Sequence, residues 1–312
     1  MKRDRSPGAI YVIGNVNVDF ILGPVTPWPQ PGTETIFPQS ELRIGGAAGN
    51  SALTLQALGA RFHILCNMGD DIFGRWLGES FRPDSKRWPI SRTPTTASAC
   101  LAHPNGERTF LTSQGHLAVT SARHVLALLP KRAKKGEIAL LCGGFLSPKL
   151  LQGYDKLMEI LAARGFEIAL DTGWPSGGWT ALQRKRVSRW IGKCDHILLN
   201  EIETAGLSGK RDIGEAMRWM LRHKKVGATV VIKGGPLGAL AWQWDRLVRI
   251  QAPKVKVVDT TGAGDVFNAG YLFARSQGLG LKASVSAGVR IASRVIATSP
   301  RSYSPGRKRG RA

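Results

Sequence analysis

The chain has 312 residues, 43% of them apolar, with 44 basic against 22 acidic side chains and a formal charge of +22. This suffices for one large α/β domain with a sizeable core, and no apolar run reaches the ~20 residues of a membrane-spanning helix. The charge excess persists when the basic ends are set aside, yet no helix-turn-helix, RRM, KH or zinc-finger pattern accompanies it. It therefore suits electrostatic collection of anionic nucleotides better than nucleic-acid binding.

The start, MKRDRSPGAIYVIGNV, lacks the long apolar stretch of a signal peptide. Cys66, Cys100, Cys142 and Cys194 are widely spaced without a CxxC, so free thiols in a cytoplasmic protein are expected. Ile10–Ile13 reads as a first strand, followed by Asn15, Asn17 and Asp19. Residues 16–44 carry Pro24, Pro27, Pro29, Pro31 and Pro38 between short β-type runs. Gly45-Gly46 then opens a helix with Asn50 in its first turns, Ala52, Leu55 and Leu58 at helical spacing, and Gly59 as its stop. Residues 95–115 read as a hairpin around His103-Pro104-Asn105-Gly106.

Beyond the first strand, strands are predicted at 62–65, 138–141, 167–170, 196–199 and 229–232, with helices at 71–80, 149–164, 180–191 and 212–224 between them. This alternation predicts a mainly parallel sheet covered on both faces, which binds ligands beyond the carboxyl ends of its strands. Asp171, Asn200, Glu203, Lys233 and Gly235 follow those strand ends. Each alone could be a cap or turn residue; their accumulation on one edge points to a site.

A β-type stretch at 254–258 feeds the run Asp259-Thr260-Thr261-Gly262-Ala263-Gly264-Asp265, and an apolar-periodic helix leaves it. A glycine-rich turn at a helix start gathers backbone N–H groups into an anion site. Asp265 is either an N-cap or a base, because a carboxylate beside an anion hole repels phosphate unless it has a proton to remove. There is no GxxxxGK[ST], nor a GxGxxG followed by protein-kinase motifs. A last helix is predicted at about 281–297. The end PGRKRGRA reads as a disordered, solvated tail, from Gly306 to Ala312.

The run from Asp259 through Gly270, together with Gly45 through Gly59, resembles the two signatures of the PfkB (ribokinase-like) carbohydrate kinases, and the likeness extends from Ile10 to about Ser299. The resemblance implies a three-layer α/β/α domain over residues 1–305 with a small β-lid from 16–44 and 95–115. It further implies ATP-dependent phosphorylation of a primary hydroxyl on a pentose, a ketohexose or a similar molecule.

In that family the aspartate matched by Asp265 is the base, and the amides matched by Gly262, Ala263 and Gly264 hold the transferred phosphoryl. Asn17, Asp19, Gly45, Gly46 and Asn50 match substrate contacts. Asn200 and Glu203 match an NxxE motif that organises the Mg2+ and phosphate region, while Lys233, Gly235 and Gly238 lie in a nucleotide-contacting turn. Asp259 and Thr261 match positions that bind a monovalent cation, K+, in some members. The resemblance also allows a homodimer built through the lid. Residues 298–305 depart from the small-residue, glycine-containing loop common there. The 105–110 segment resembles lids of sugar-acid, fructose and nucleoside kinases alike. A nucleoside kinase, or a catalytically idle nucleotide-responsive interaction protein, are the alternatives.

Overall fold

The computed structural model of the chain describes residues 7–104, 108–298 and 301–303. The apolar run Ile10–Gly14 forms β1, buried along its length. β2 (Asn17–Gly23) and β3 (Gln39–Gly45) pair antiparallel, and α1 (Ala47–Ala57) follows. Gly46, before α1, has a φ of 84°, and a Cβ there would fall 2.4 Å from the Asn15 carbonyl oxygen, so only glycine fits.

β4 (Phe62–Leu65), β5 (Met68–Gly69), α2 (Ile72–Ser80) and β6 (Ile90–Ser91) come next. Asp71 starts α2 as its N-cap, accepting from Gly74 N at 2.7 Å. β7 (Ala97–Ala102) and β8 (Arg108–Thr112) are the arms of the predicted hairpin; its Asn105-Gly106 tip lies outside the described residues.

α3 (Ala122–Leu128) and β9 (Ile138–Cys142) lead to a helical region that is two helices rather than one, α4 (Pro148–Gln152) and α5 (Tyr154–Ala163). They part at Gly153, which packs so closely on Ala122 that a Cβ would approach its Cβ to 2.6 Å. β10 (Glu167–Asp171), α6 (Ala181–Ile191), β11 (His196–Asn200), α7 (Glu201–Ser208), α8 (Ile213–His223) and β12 (Thr229–Lys233) continue the expected alternation. β13 (Ala239–Gln243) and β14 (Arg246–Ile250) form a hairpin that the sequence did not announce. Its turn uses Trp244 at φ 55° instead of the glycine or asparagine that normally marks such a turn. α9 (Ala263–Ser276) and α10 (Leu281–Val295) complete the chain of elements.

The large sheet runs β14-β13-β12-β11-β10-β9-β1-β4, parallel from β4 to β12 and antiparallel for the added hairpin. Alternate residues of its strands feed two cores. Tyr11, Leu141, Leu170, Leu199 and Ile232 face Leu157, Leu161, Val187, Trp190 and Met220. Val12, Leu140, Ala169, Leu198 and Val231 face Leu55, Phe267, Tyr271, Val285 and Val289. Each such aliphatic side chain contributes about 1.5–3 kcal/mol on burial, so the alternation fixes a three-layer stack.

The second sheet, β3-β2-β7-β8, is the small lid. Its register aligns Arg43, Asp19, Ser98 and Thr112 in one cross-strand row. Because side chains alternate along strands, Leu42, Phe20 and Leu111 occupy the opposite face.

Candidate active site

The lid row and the carboxyl ends of the large sheet converge on the turn before α9. No strand enters that turn, contrary to the expectation for 254–258. The alternating pattern of those residues serves another purpose: Val255 and Val257 wall a cavity. Val258 and Asp259 N–H groups both donate to Ile296 O, at 2.8 and 3.1 Å, pinning the segment to the end of α10.

Gly262 has a φ of 68°, and a Cβ there would come within 2.6 Å of the Asn50 side-chain nitrogen. A Cβ on Gly264 would lie 3.3 Å from Lys233 Nζ, so the lysine ammonium stands at the turn. Ala263 N–H donates to Thr260 O at 3.1 Å, closing the turn on itself. Among the described residues the Gly262 and Gly264 N–H groups meet no protein acceptor, which leaves them for an anion at the positive end of α9.

Asp265, in the first turn of α9, is partly buried and accepts from Asn50 Nδ2 at 3.0 Å. Burial, reinforced by the charge of Asp171, pushes its carboxyl up to about 7 against the opposing pull of Asn50 and Lys233. The final residues of β10, β11 and β12 supply Asp171, Asn200 and Lys233. Lys233 Nζ donates to Asp171 Oδ2 at 2.8 Å and to Asn268 Oδ1 at 3.2 Å, while Asn268 Nδ2 also donates to Asp171. Burial opposes the lysine charge, but Asp171 and Glu203 outweigh it and raise its pKa.

Asn200 and Glu203 close a capping box. Glu203 N donates to Asn200 Oδ1 at 2.7 Å, and Asn200 N donates to Glu203 Oε2 at 2.9 Å. Burial next to Asp171 pushes Glu203 up to about 7. Asp171, Glu203 and Asp265 thus gather around a single lysine. Glu203 and Asp265, which burial makes costly to ionise, with a single lysine as counter-charge, fit a divalent cation held largely by phosphates and water. No group of three acidic, histidine or cysteine side chains among the described residues would hold a metal alone.

Two cavities meet at the turn. One, of about 490 Å³, is walled by Pro253, Phe267, Val289, Ala292 and Ile296, with Asn200, Lys233, Gly235 and Gly238 at its rim. Gly238 has a φ of 88° and lies so near Ile250 O that a Cβ would reach 1.9 Å from it.

The other cavity, of about 300 Å³, lies under the lid. Asn17 Nδ2 donates to Asp19 Oδ1 at 2.6 Å and to Ser98 Oγ at 3.3 Å, and burial pushes Asp19 up to about 6. A Cβ on Gly45 would fall 2.1 Å from Asp19 Cγ, so glycine is what lets that carboxylate lie across the helix entry. Phe110, Phe145 and Trp174 form the apolar wall of this cavity. Thr260, Ala263 and Gly264 border the first cavity, whereas Thr261, Gly262 and Asp265 border the second. One turn of backbone separates them.

The structure also brings in residues that no local signal marked. Tyr303 OH donates to Asn50 Oδ1 at 3.0 Å, and Arg43, Arg108 and Arg301 surround Asp259. The tail from Gly306 lies outside the described residues. No described helix is long and apolar enough to cross a membrane.

Comparison with known proteins agrees with this fold. The family model described as pfkB family carbohydrate kinase matches residues 9–304. The chain is similar to a fructokinase of Rhizobium leguminosarum bv. trifolii, 29% identical over 241 residues, covering 73% of this chain and 70% of that protein. It is similar to a nucleoside kinase of Methanothermobacter thermautotrophicus, 27% identical over 293 residues, covering 90% and 86% respectively. A putative ribokinase II from E. coli in complex with ATP and Mg2+ shares the fold, with a TM-score of 0.77 at 19% identity and 93% of each chain covered.

Proposed function

Given that the chain belongs to the pfkB family of carbohydrate kinases, we propose that the cavity under the lid takes a sugar, a pentose or ketohexose, and that the larger cavity takes ATP. The protein is a phosphotransferase acting on an alcohol group, with ATP as donor and Mg2+ as its metal. The observation that carries the assignment of the two ligands is the shared turn. Thr260, Ala263 and Gly264 line one cavity and Thr261, Gly262 and Asp265 the other, so a phosphoryl group bound at the Gly262 and Gly264 N–H groups is within reach of an acceptor on the other side.

Asp265 sits on the acceptor side as a carboxylate tuned near neutrality, which suits the removal of a proton from a primary hydroxyl. The turn amides and Lys233 stabilise charge on the transferred group. Ala263 shapes the turn through its bond to Thr260 O. Asp19, Asn17 and Asn50 fix the acceptor's other hydroxyls, with Gly45 and Gly46 giving them room. The apolar wall of the larger cavity suits a purine ring, with Gly235 and Gly238 carrying the backbone close to it. Glu203, near Asp171, would hold Mg2+ through water, and the ion neutralises phosphate charge when bound.

A second reading, nucleoside phosphorylation, draws on Phe110, Phe145 and Trp174, which offer the aromatic wall a base would need. A panel of pentoses, ketohexoses, sugar acids and nucleosides with ATP and Mg2+, read by ADP release, separates the two. Turnover with nucleosides alone would overturn the sugar assignment. For assembly, Leu42, Phe20 and Leu111 are 44%, 37% and 56% exposed on the outer face of the lid, and this apolar row supports pairing of two copies there. Sedimentation of a Phe20→Glu, Leu111→Glu variant as the same species as the parent would remove that pairing.

A further inference from the structure

The three arginines around Asp259 occupy every acceptor it has. Its Oδ2 accepts from Arg43 Nη1 and faces Arg301 Nη2 at 3.4 Å. Oδ1 accepts from Arg108 Nη2 at 3.1 Å and from Thr261 N at 2.8 Å. Its carbonyl oxygen accepts from Arg301 Nη2 at 3.0 Å. The Asp259 side chain is 9% exposed and that of Arg301 4%, so this is an interior cluster. Glu41 also pairs with Arg43.

A monovalent cation at the positions matched by Asp259 and Thr261 would need these same oxygens. It would find the Asp259 oxygens already taken, leaving it only Thr261 Oγ1, unpartnered among the described residues, and it would stand against like charge. The residues present therefore do not fit K+.

We propose that Arg43, Arg108 and Arg301 are positioning residues that supply from within the chain the positive charge at Asp259, so that this kinase works without a bound monovalent cation. The proposal rests on the kinase reading of the site. Asp259 begins the run that carries Gly262, Gly264 and Asp265, so fixing its carboxylate and carbonyl fixes the entry to the anion turn. Two of the guanidinium groups come from the lid, on β3 and β8, and the third comes from the segment after α10. The clamp thereby joins lid, turn and C-terminal segment at one residue. A guanidinium suits this task better than a free ion because it holds several donors in fixed geometry: Arg301 Nη2 reaches both the carbonyl and the carboxylate of Asp259, and the two Nη atoms of Arg43 bridge Asp259 and Glu41.

The test uses the full chain in KCl, NaCl and tetramethylammonium chloride at one ionic strength, so that screening is constant. Thermal melting and ADP release with the best acceptor of the panel are read in each salt. The parent is expected to melt at the same temperature and turn over at the same rate in all three.

Arg301→Ala is expected to lose about ten- to a hundredfold in turnover through misplacement of the turn. Millimolar guanidinium or K+ should restore it, while tetramethylammonium should not. Arg301→Lys, which keeps the charge and loses the fork, stands in if the alanine variant does not fold, with a smaller loss and the same rescue. A parent that gains severalfold in turnover, or several degrees in melting, from K+ overturns the proposal. So does an arginine variant without loss, or one whose loss neither ion restores. If no acceptor turns over, the kinase reading fails on that arm, and the melting arm still judges the clamp.

Discussion

The Asn50 side-chain amide, in α1, donates to the Asp265 carboxylate, in α9, at 3.0 Å. One residue of each family signature thus meets the other, though 215 positions separate them in the chain. This bond holds Asp265 on the lid side of the turn, where Asp19 is the other described carboxylate lining the cavity.

Replacing Asp265 by Asn should therefore remove the base and keep the shape. Turnover is expected to fall by about 10²–10⁴-fold. Binding of Mg-ADP, measured by calorimetry, should stay close to that of the parent, since the larger cavity does not include this residue. Turnover near the parent's would take Asp265 out of the mechanism.

The same carboxyl sets a pH dependence. A base must be ionised, and burial with Asp171 alongside raises Asp265 to about 7, so turnover should fall as pH drops below about 7. For stability the sign is opposite. The folded-state value is above the ordinary 3.8, so the contribution is fully present below about 3.8 and is lost as pH rises through about 7. Asp265→Asn should accordingly gain more melting temperature over the parent at pH 8 than at pH 5. An equal difference at both pH values would show that the carboxyl is not raised.

Asp19 should matter for the acceptor and hardly at all for ATP. Loss of a charged hydrogen-bond partner costs about 1.5–3 kcal/mol, so Asp19→Ala should raise the acceptor KM by roughly one to two orders of magnitude. A loss of ATP affinity with unchanged acceptor KM would mean the two cavities have been assigned the wrong way round.

Tyr303 fixes which end of the Asn50 amide faces Asp265, because its hydroxyl donates to the oxygen and leaves the nitrogen for the base. Removing Gly306–Ala312 keeps this contact and Arg301, so turnover and melting temperature should hold. Removing the chain from Arg301 onward deletes both, and turnover should drop well over tenfold. Equal behaviour of the two truncations, measured side by side, would deny the C-terminal segment any part in the site.

Much of this architecture could be read from residue patterns. The buried parallel strands are continuous apolar runs, such as Ile138–Cys142 and Thr229–Lys233, and their ends carry the polar residues that cluster in space. The two glycine-rich signatures marked the turn and the entry to α1 because backbone approach there excludes a Cβ. What stayed hidden depends on distant partners. In a chain with 44 cations, nothing local distinguishes Arg43, Arg108 and Arg301 from solvated ones. The valines of 254–258 alternate like a strand, yet the sheet edge beside β12 is filled by a hairpin with an unmarked turn. Asp171 showed itself only as one more strand-end carboxylate; its bond to Lys233 requires the two strands to be near neighbours in the sheet.

The wall between the cavities has a consequence for how acceptor preference can drift. The residues that shape the acceptor pocket, among them Phe110, Thr112, Phe145 and Trp174, come from the lid and from loops after β9 and β10. Those that surround the larger cavity come from the ends of β11 and β12 and from the stretch between β12 and Ile296. Substitutions on the first set can retune what is phosphorylated without disturbing the donor or the proton transfer, so a scaffold of this kind can be redirected to a new alcohol piecemeal while remaining a working kinase at every step.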